Sequence, residues 1–514
     1  MTLTEARVNT YLMPVVIAHI GVPSFAESGD YYYRIHTPCA ALAGLDGVYT
    51  IEMVGAHREM ANVMRHADVV VLNHFFNADF LPMIRKRKTE RKLTVFEIAD
   101  DFQHVPNYSP LYDTYQIPDT RQLIKRTAWY CDGLQFTSEG LEYQYGYLNP
   151  YHRTFPNQIS IIPPERKPCG DKIRIGWGGS ISHLEDVMAI AKYIIPFINN
   201  TPNVHFCFMG TEEIYQLFYN IPEGKKTNYG IGSIYDYHNF LKNIDIGIAP
   251  LSDTPFNRSR SDLKFCEYAV NGIVPVVSDI STYNTVEHGT TGYLFRDGKE
   301  MTAILADLAG NRDKIHTIGR QAREYIINNR LQSQHAAARL SFYAEGLERI
   351  AWSESDVPHK YWKRLTNIAG AKQNKRHLKL KNTDFETLLF GGSIYSAHAE
   401  RQADAVRTLK MAADLCRADY RPYLYMIGLA TDKIAVINEA LKRNPESILS
   451  MVLLGDVLSA QGKKIEVLGC YQKAAEIFPE YDVPFQKVAT LLETMGDLNS
   501  AREFQQVVAK MQIL

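Results

Sequence analysis

Along the first third of the chain, short β-branched or apolar runs ending in polar residues alternate with stretches of helical period. MPVVIAHI (13–20), ADVVVLNHF (67–75), KLTVFEIAD (92–100) and DGLQFTS (132–138) predict strands with helices between them. A second set opens at KIRIGWGGS (172–180), with a helix from near Leu184. It continues through NVHFCFMG (203–210), NIDIGIAPL (243–251) and IVPVVSD (273–279). Such alternation argues for parallel, doubly wound sheets, with ligands at the carboxyl ends of the strands. Residues 310–352 read as long helices.

The pattern changes toward the C-terminus, where the chain is rich in Ala, Leu, Glu and Lys and has no strand signal. Gly462 and Gly496, Ala440 and Ala474, and Pro445 and Pro479 are each 34 residues apart. Leu454, Gly455, Tyr471, Ala474 and Pro479 fit a 34-residue helix–turn–helix repeat of the tetratricopeptide type. The expected class is α/β: two Rossmann-like domains, at 1–165 and 166–370, then an all-α helical repeat at 385–514. The Pro- and charge-rich stretch at 160–171 and the basic stretch at 371–382 read as linkers.

A length of 514 residues fits about three domains. Lys plus Arg number 56 against 57 Asp plus Glu, a formal charge of −1, so no nucleic-acid partner is expected. The seven cysteines are scattered without a CxxC and read as reduced thiols of a cytoplasmic protein. No apolar run reaches the roughly 18 residues a spanning helix needs, so no transmembrane segment is expected. The first apolar run reads as a core strand rather than a signal peptide.

The most informative stretch is SDLKFCEYAVNGIVPVVSD (261–279), read as a short helix, a glycine stop at Gly272 and a buried strand. Lys264, Glu267 and Asn271 share one helical face. A cation and a carboxylate one turn apart suit a ligand with both phosphates and hydroxyls. Gly178, Gly179 and Ser180 turn from a strand into a helix, where backbone N–H groups can meet a phosphate; a plain tight turn explains them about as well. Arg258, Arg260 and Lys264 place three cations within seven residues, fit for a diphosphate or for a solvated loop. No cluster with metal-ligand spacing is present, so these cations would replace a metal. Asp100 and Asp101 end a strand, as base, hydroxyl acceptor or loop cap, and His74 ends the preceding one. The run RKRKTERK (85–92) reads as the solvated end of a helix, with membrane-surface contact the lesser alternative.

Together these segments resemble the GT-B glycosyltransferases of the family-4-type group over roughly residues 12–350. The motifs that carry this are KIRIGWGGSISHLEDV, NIDIGIAPL, DLKFCEYAVNGIVPVVSD, HGTTGYLFRD (288–297) and GRQAREYI (319–326). In the first domain, VFEIADDFQHVPNYSP, QFTSEGL and FPNQI resemble a subset of the group. The resemblance implies a metal-independent hexosyltransferase with a nucleotide-sugar donor and no other cofactor. Glu267 would hold the ribose hydroxyls, Lys264 and Arg258 the diphosphate, and Gly178, Gly179 and Ser180 the phosphates. Asp100 or Asp101, with His74 nearby, would face the sugar or the acceptor. The group's first glutamate is replaced by Ser259, leaving Asn257 or Asp262 as substitutes. Base, sugar and anomeric outcome stay open.

The implied acceptor is a glycan, a lipid-linked glycan or a polypeptide, in surface-glycan or glycoprotein assembly. The repeats would offer a surface to a protein partner. The implied setting is the cytoplasm, with peripheral contact at the inner face of the membrane as an option. The competing class is a non-catalytic nucleotide-binding scaffold whose repeats bind the partner.

Overall fold

The computed structural model describes residues 15–22, 28–54, 57, 59–165, 170–350, 376–380, 383–417, 419–479 and 481–511. Two parallel sheets carry the first two-thirds of the chain, the expected α/β class. The first is built from β1 (Val15–Gly21), β2 (Val48–Val54), β3 (Val69–Asn73), β4 (Leu93–Ile98), β5 (Gly133–Phe136) and β6 (His152–Thr154). The second holds β7 (Ile173–Gly178), β8 (Val204–Met209), β9 (Lys226–Asn228), β10 (Ile246–Ala249), β11 (Val274–Ser278) and β12 (Tyr293–Phe295). A late strand, β13 (His377–Leu380), completes the first sheet. The orders are β13-β2-β1-β3-β4-β5-β6 and β12-β11-β10-β7-β8-β9.

The central strands are buried along their length because helices cover both faces, which is why they read as continuous apolar runs. The helix Gln332–Arg349 crosses back from the second sheet. It lays Leu340, Phe342, Tyr343 and Leu347 on the face formed by Val15, Ile17, Val71 and Val95.

β13 corrects the reading of 371–382 as a linker. His377 to Leu380 pair in parallel with Thr50 to Met53 of β2, while residues 371–375 and 381–382 lie outside the described set. The basic run at 85–92 ends a helix with Arg85, Lys86, Lys88 and Arg91 exposed as expected, but one member departs from that reading. Arg87 is buried at the end of helix Leu81–Thr89. It donates to the carbonyls of Ala67 (2.9 Å) and Leu93 (2.7 Å) and to Thr94 Oγ1 (2.9 Å). The guanidinium satisfies strand-end carbonyls that would otherwise be buried without donors.

The C-terminal third is a series of helices from Thr383–Ser396 to Leu498–Met511. Gly462 (φ 73°) and Gly496 (φ 87°) follow helices Ile448–Ala460 and Asp482–Met495 in the left-handed conformation that favours glycine. The 34-residue spacing therefore marks equivalent turns. The helices dock on the first sheet's unit. Ile448, Met451, Ala474, Phe478 and Tyr481 join one core with Phe96, Ile98 and Leu134. At this junction half-buried Asp79 accepts from Tyr420 Oη (2.6 Å), Ser447 Oγ (2.8 Å) and the Leu449 amide (3.2 Å). No helix among the described residues is long and apolar enough to cross a membrane.

Candidate active site

A cleft of about 530 Å³ lies where the carboxyl ends of the two sheets meet. The first unit supplies Asp30, Tyr33, Arg34, Asp100 and Asn157 to its wall. The second supplies Gly179, Ser180, His183, Arg260, Lys264 and Glu267.

Helix Leu263–Val270 forms as expected, and Gly272 (φ 67°) ends it before β11. Lys264 and Glu267 face the cleft, with Lys264 Nζ 3.8 Å from Glu267 Oε2. Lys264 donates to Tyr237 Oη at 2.8 Å and lies over that ring. Burial lowers the Lys264 pKa, against the pull of Glu267. Glu267 is only 3% exposed, so it floors the cleft rather than lying on an open polar face. Tyr33, brought from the first unit, is buried beside it. Burial and the Glu267 carboxylate that its hydroxyl faces push its phenol up.

The turn after β7 places Gly179 and Ser180 on the cleft wall. Gly178 lies behind them, where a Cβ would come within 2.8 Å of the Tyr237 ring. Its smallness serves packing.

The arginine assignment changes. Arg258 is exposed and held by Asp253 through a fork of 2.6 and 2.7 Å, outside the cleft wall. Arg260, two residues on, lines the cleft above the Phe256 ring. Its Nη1 lies 3.0 Å from His183 Nε2, and the His183 Nδ1 lies 3.1 Å from Asp186 Oδ2. Arginine only donates, so Nε2 accepts and the proton sits on Nδ1, facing Asp186. Burial and Arg260 push the His183 pKa down to about 4, which keeps the ring in that neutral form.

Asp186 also accepts from the Ser252 amide (2.8 Å) and from Asn257 Nδ2 (2.9 Å). Asn257 is thus buried as a strut of the loop after β10, with Ser252 O as its second acceptor (2.9 Å). It is not among the residues that line the cleft. Asp262 is likewise engaged, forked with buried Arg330 at 2.6 and 2.8 Å.

Ser259 lies outside the cleft. Its Oγ donates to Pro255 O (3.0 Å) and accepts from Gln144 Nε2 (2.9 Å), while its carbonyl accepts from Ser138 Oγ (2.5 Å). Gly140 allows this approach, since a Cβ there would lie 2.3 Å from Arg258 O. The position where the resemblance expects a sugar-holding acid is here a contact between the two units.

Among the first unit's candidates, Asp100 reaches the cleft wall and Asp101 does not. Asp101 is buried and accepts from the Gln103 (3.0 Å) and His104 (3.2 Å) amides and from Tyr145 Oη, so it shapes the loop. His74 (φ 47°) is buried behind the wall, bonded through Nε2 to Tyr115 Oη and stacked on Phe96. Burial lowers its pKa. Packing explains both residues.

Asp30 and Arg34 were missed by motif reading, though YYYR (31–34) is an unusual run. Arg34 forks onto fully buried Glu97 at 2.9 and 2.8 Å and donates to Asn157 Oδ1 (2.9 Å). Asp30 lies on the cleft wall, where enclosure by the protein and the Asp100 charge raise its pKa.

No family model and no curated protein matches the chain. Among solved structures it is similar to HepE of Anabaena in complex with UDP: 12% identity, 64% of this chain and 100% of that one, TM-score 0.48. It is similar to a glycosyltransferase from Rickettsia africae: 12% identity, 65% of this chain and 99% of that one, TM-score 0.47. It is also similar to TarM: 14% identity, 54% of this chain, TM-score 0.43, where the match spans 56% of TarM's length.

Proposed function

We propose that the protein is a glycosyltransferase that moves a sugar from a nucleotide-sugar donor to an acceptor. The observation that carries this reading is the pairing of Glu267 with Lys264 and Arg260 on one wall of a cleft between two parallel sheets. The carboxylate fits ribose hydroxyls and the cations fit a diphosphate. In this scheme Gly179 and Ser180 offer close backbone approach to a phosphate, and Arg260 takes the place first given to Arg258. A diphosphate leaving group is stabilised by Arg260 and Lys264 without a metal or further cofactor. Asp100, opposite, receives the acceptor's proton or a sugar hydroxyl.

The proposed acceptor is a glycan, a lipid-linked glycan or a polypeptide, in surface-glycan or glycoprotein assembly. A hexosyl donor and a cytoplasmic or membrane-peripheral setting belong to the same proposal. The second reading, a nucleotide-binding scaffold, keeps the donor wall and drops turnover. A thermal-shift screen with UDP, GDP, CMP and TDP species, followed by donor-hydrolysis assays, separates them. Stabilisation by a nucleotide with hydrolysis of its sugar conjugate supports the enzyme. Stabilisation with no turnover of any conjugate, with or without acceptor, supports the scaffold. No shift with any nucleotide sinks both.

A further inference from the structure

Away from the cleft, one face of the first sheet gathers a second set of polar groups. Glu52 of β2 is fully buried, and its Oε2 lies 2.9 Å from His36 Nδ1 and 3.5 Å from His377 Nε2. Its other oxygen, Oε1, lies 3.2 Å from Lys379 Nζ. The three potential ligand atoms all fall within 4.8 Å of one another. His36 ends the helical turn that carries Tyr33 and Arg34 to the cleft, and His377 opens β13.

The hydrogen bonds fix the His377 tautomer. Thr50 Oγ1 donates its proton to Cys39 O (3.0 Å) and so must accept from His377 Nδ1 (2.8 Å). In the neutral ring this leaves Nε2 with a lone pair, buried, without a hydrogen bond, and facing a carboxylate oxygen. A lone pair and a carboxylate repel, so the contact calls for a positive charge between them: a proton on Nε2, which makes an imidazolium paired with Glu52, or a metal ion in its place. The Thr50 contact is the outer bond that metal-bound histidines make, and the other carboxylate oxygen, Oε1, lies between Lys379 Nζ (3.2 Å) and His36 Nδ1 (3.1 Å).

We propose that His36 Nδ1, Glu52 Oε2 and His377 Nε2 bind a zinc-type divalent transition cation, with a further position open to solvent. Two imidazoles and a carboxylate form a donor set typical of such ions. Side-chain exposures of 31% for His36 and 24% for His377 give an entry path. Binding needs the Nδ1 lone pair of His36, with any ring proton on Nε2, so protons compete with the ion and affinity falls with acid. The ion ties β13, and the helical array after it, to the turn that forms one cleft wall. This inference stands apart from the sugar-transfer reading.

The test uses chelator-stripped full-length protein titrated with Co(II), read by its visible absorption, then displaced by Zn(II), with metal content by elemental analysis. One ion per chain is expected, together with a higher Tm in zinc. Glu52→Gln and His377→Ala should each weaken binding at least tenfold. The remote His205→Ala should not change it. His36→Ala repeats the test without disturbing the buried sheet edge. Absence of stoichiometric cobalt or zinc in folded wild-type protein overturns the proposal. So does unchanged affinity in folded His36→Ala or His377→Ala.

Discussion

The Arg260 guanidinium donates to His183 Nε2 across 3.0 Å, and His183 in turn donates to Asp186. This relay aims one of two neighbouring arginines into the cleft. Arg258, caught by Asp253, is spent at the surface. Arg260→Ala should weaken nucleoside-diphosphate binding about ten- to a hundredfold, the worth of one or two charge-assisted hydrogen bonds. Arg258→Ala should change it less than about twofold, as expected for an exposed pair. Calorimetric titration of both variants checks the order. Equal losses would return Arg258 to the site.

His183 gives that relay a pH dependence. Its pKa is about 4 in the folded chain against an ordinary 6.5. Between those values the unfolded chain binds the extra proton, so stability is lost as pH falls through this window and is level above it. His183→Gln removes the titration. The wild-type advantage over this variant should therefore shrink by about 1–2 kcal/mol from pH 7 to pH 5. Urea unfolding at the two pH values measures it, and a constant difference would show that the ring is not held neutral.

Glu267 has two neighbours to answer to. Glu267→Ala would leave half-buried Lys264 without its carboxylate, so affinity and fold would change together. Glu267→Gln keeps shape and two hydrogen-bonding atoms. It should reduce affinity for ribonucleotides by about tenfold or more while shifting Tm by only a few degrees. The loss should be smaller for the matching 2′,3′-dideoxynucleotide, which offers no hydroxyls to hold. An equal loss for both ligands would remove the ribose role.

The helix that carries Glu267 was legible because its pattern is local: Lys264 and Glu267 share a face, and Gly272 stops it. The choice between Arg258 and Arg260 was not. Two cations on either side of Ser259 differ only in which distant side chain captures them, Asp253 for Arg258 and His183 for Arg260. Ser259 read as a missing ligand because a sequence cannot show that its backbone faces Gly140 of the other unit. β13 carries little strand pattern of its own, since its pairing with β2 supplies the order. The His36–Glu52–His377 cluster was invisible for the same reason. Its members come from distant parts of the chain, with none of the short spacings that mark a metal motif.

The contact of Gly140 with Arg258 O predicts its own phenotype. Gly140→Ala cannot be accommodated by a side-chain shift, because the obstructing atom is backbone. The two units would have to separate locally, breaking the Ser138–Ser259 and Gln144–Ser259 hydrogen bonds. The expected result is retained secondary structure with weaker nucleotide binding, since Arg260 follows directly on that segment. Circular dichroism and the nucleotide titration check it, and full affinity would show that the segment gives way.

The docking of the helical array changes what its removal should do. Taken as a free-standing module, residues 386–514 could be deleted with donor binding spared. In the structure their Ile448, Met451, Phe478 and Tyr481 belong to the first sheet's core, so deletion would expose that face and destabilise the first unit. Asp79→Ala tests the junction more gently. Burial raises its pKa against the three donors that hold it, Tyr420, Ser447 and Leu449. Removing the carboxylate strands those donors and should destabilise the chain by about 2–4 kcal/mol. The loss should appear in urea unfolding, together with faster proteolysis in the array. Unchanged stability would mean that the array and the first sheet fold as independent units.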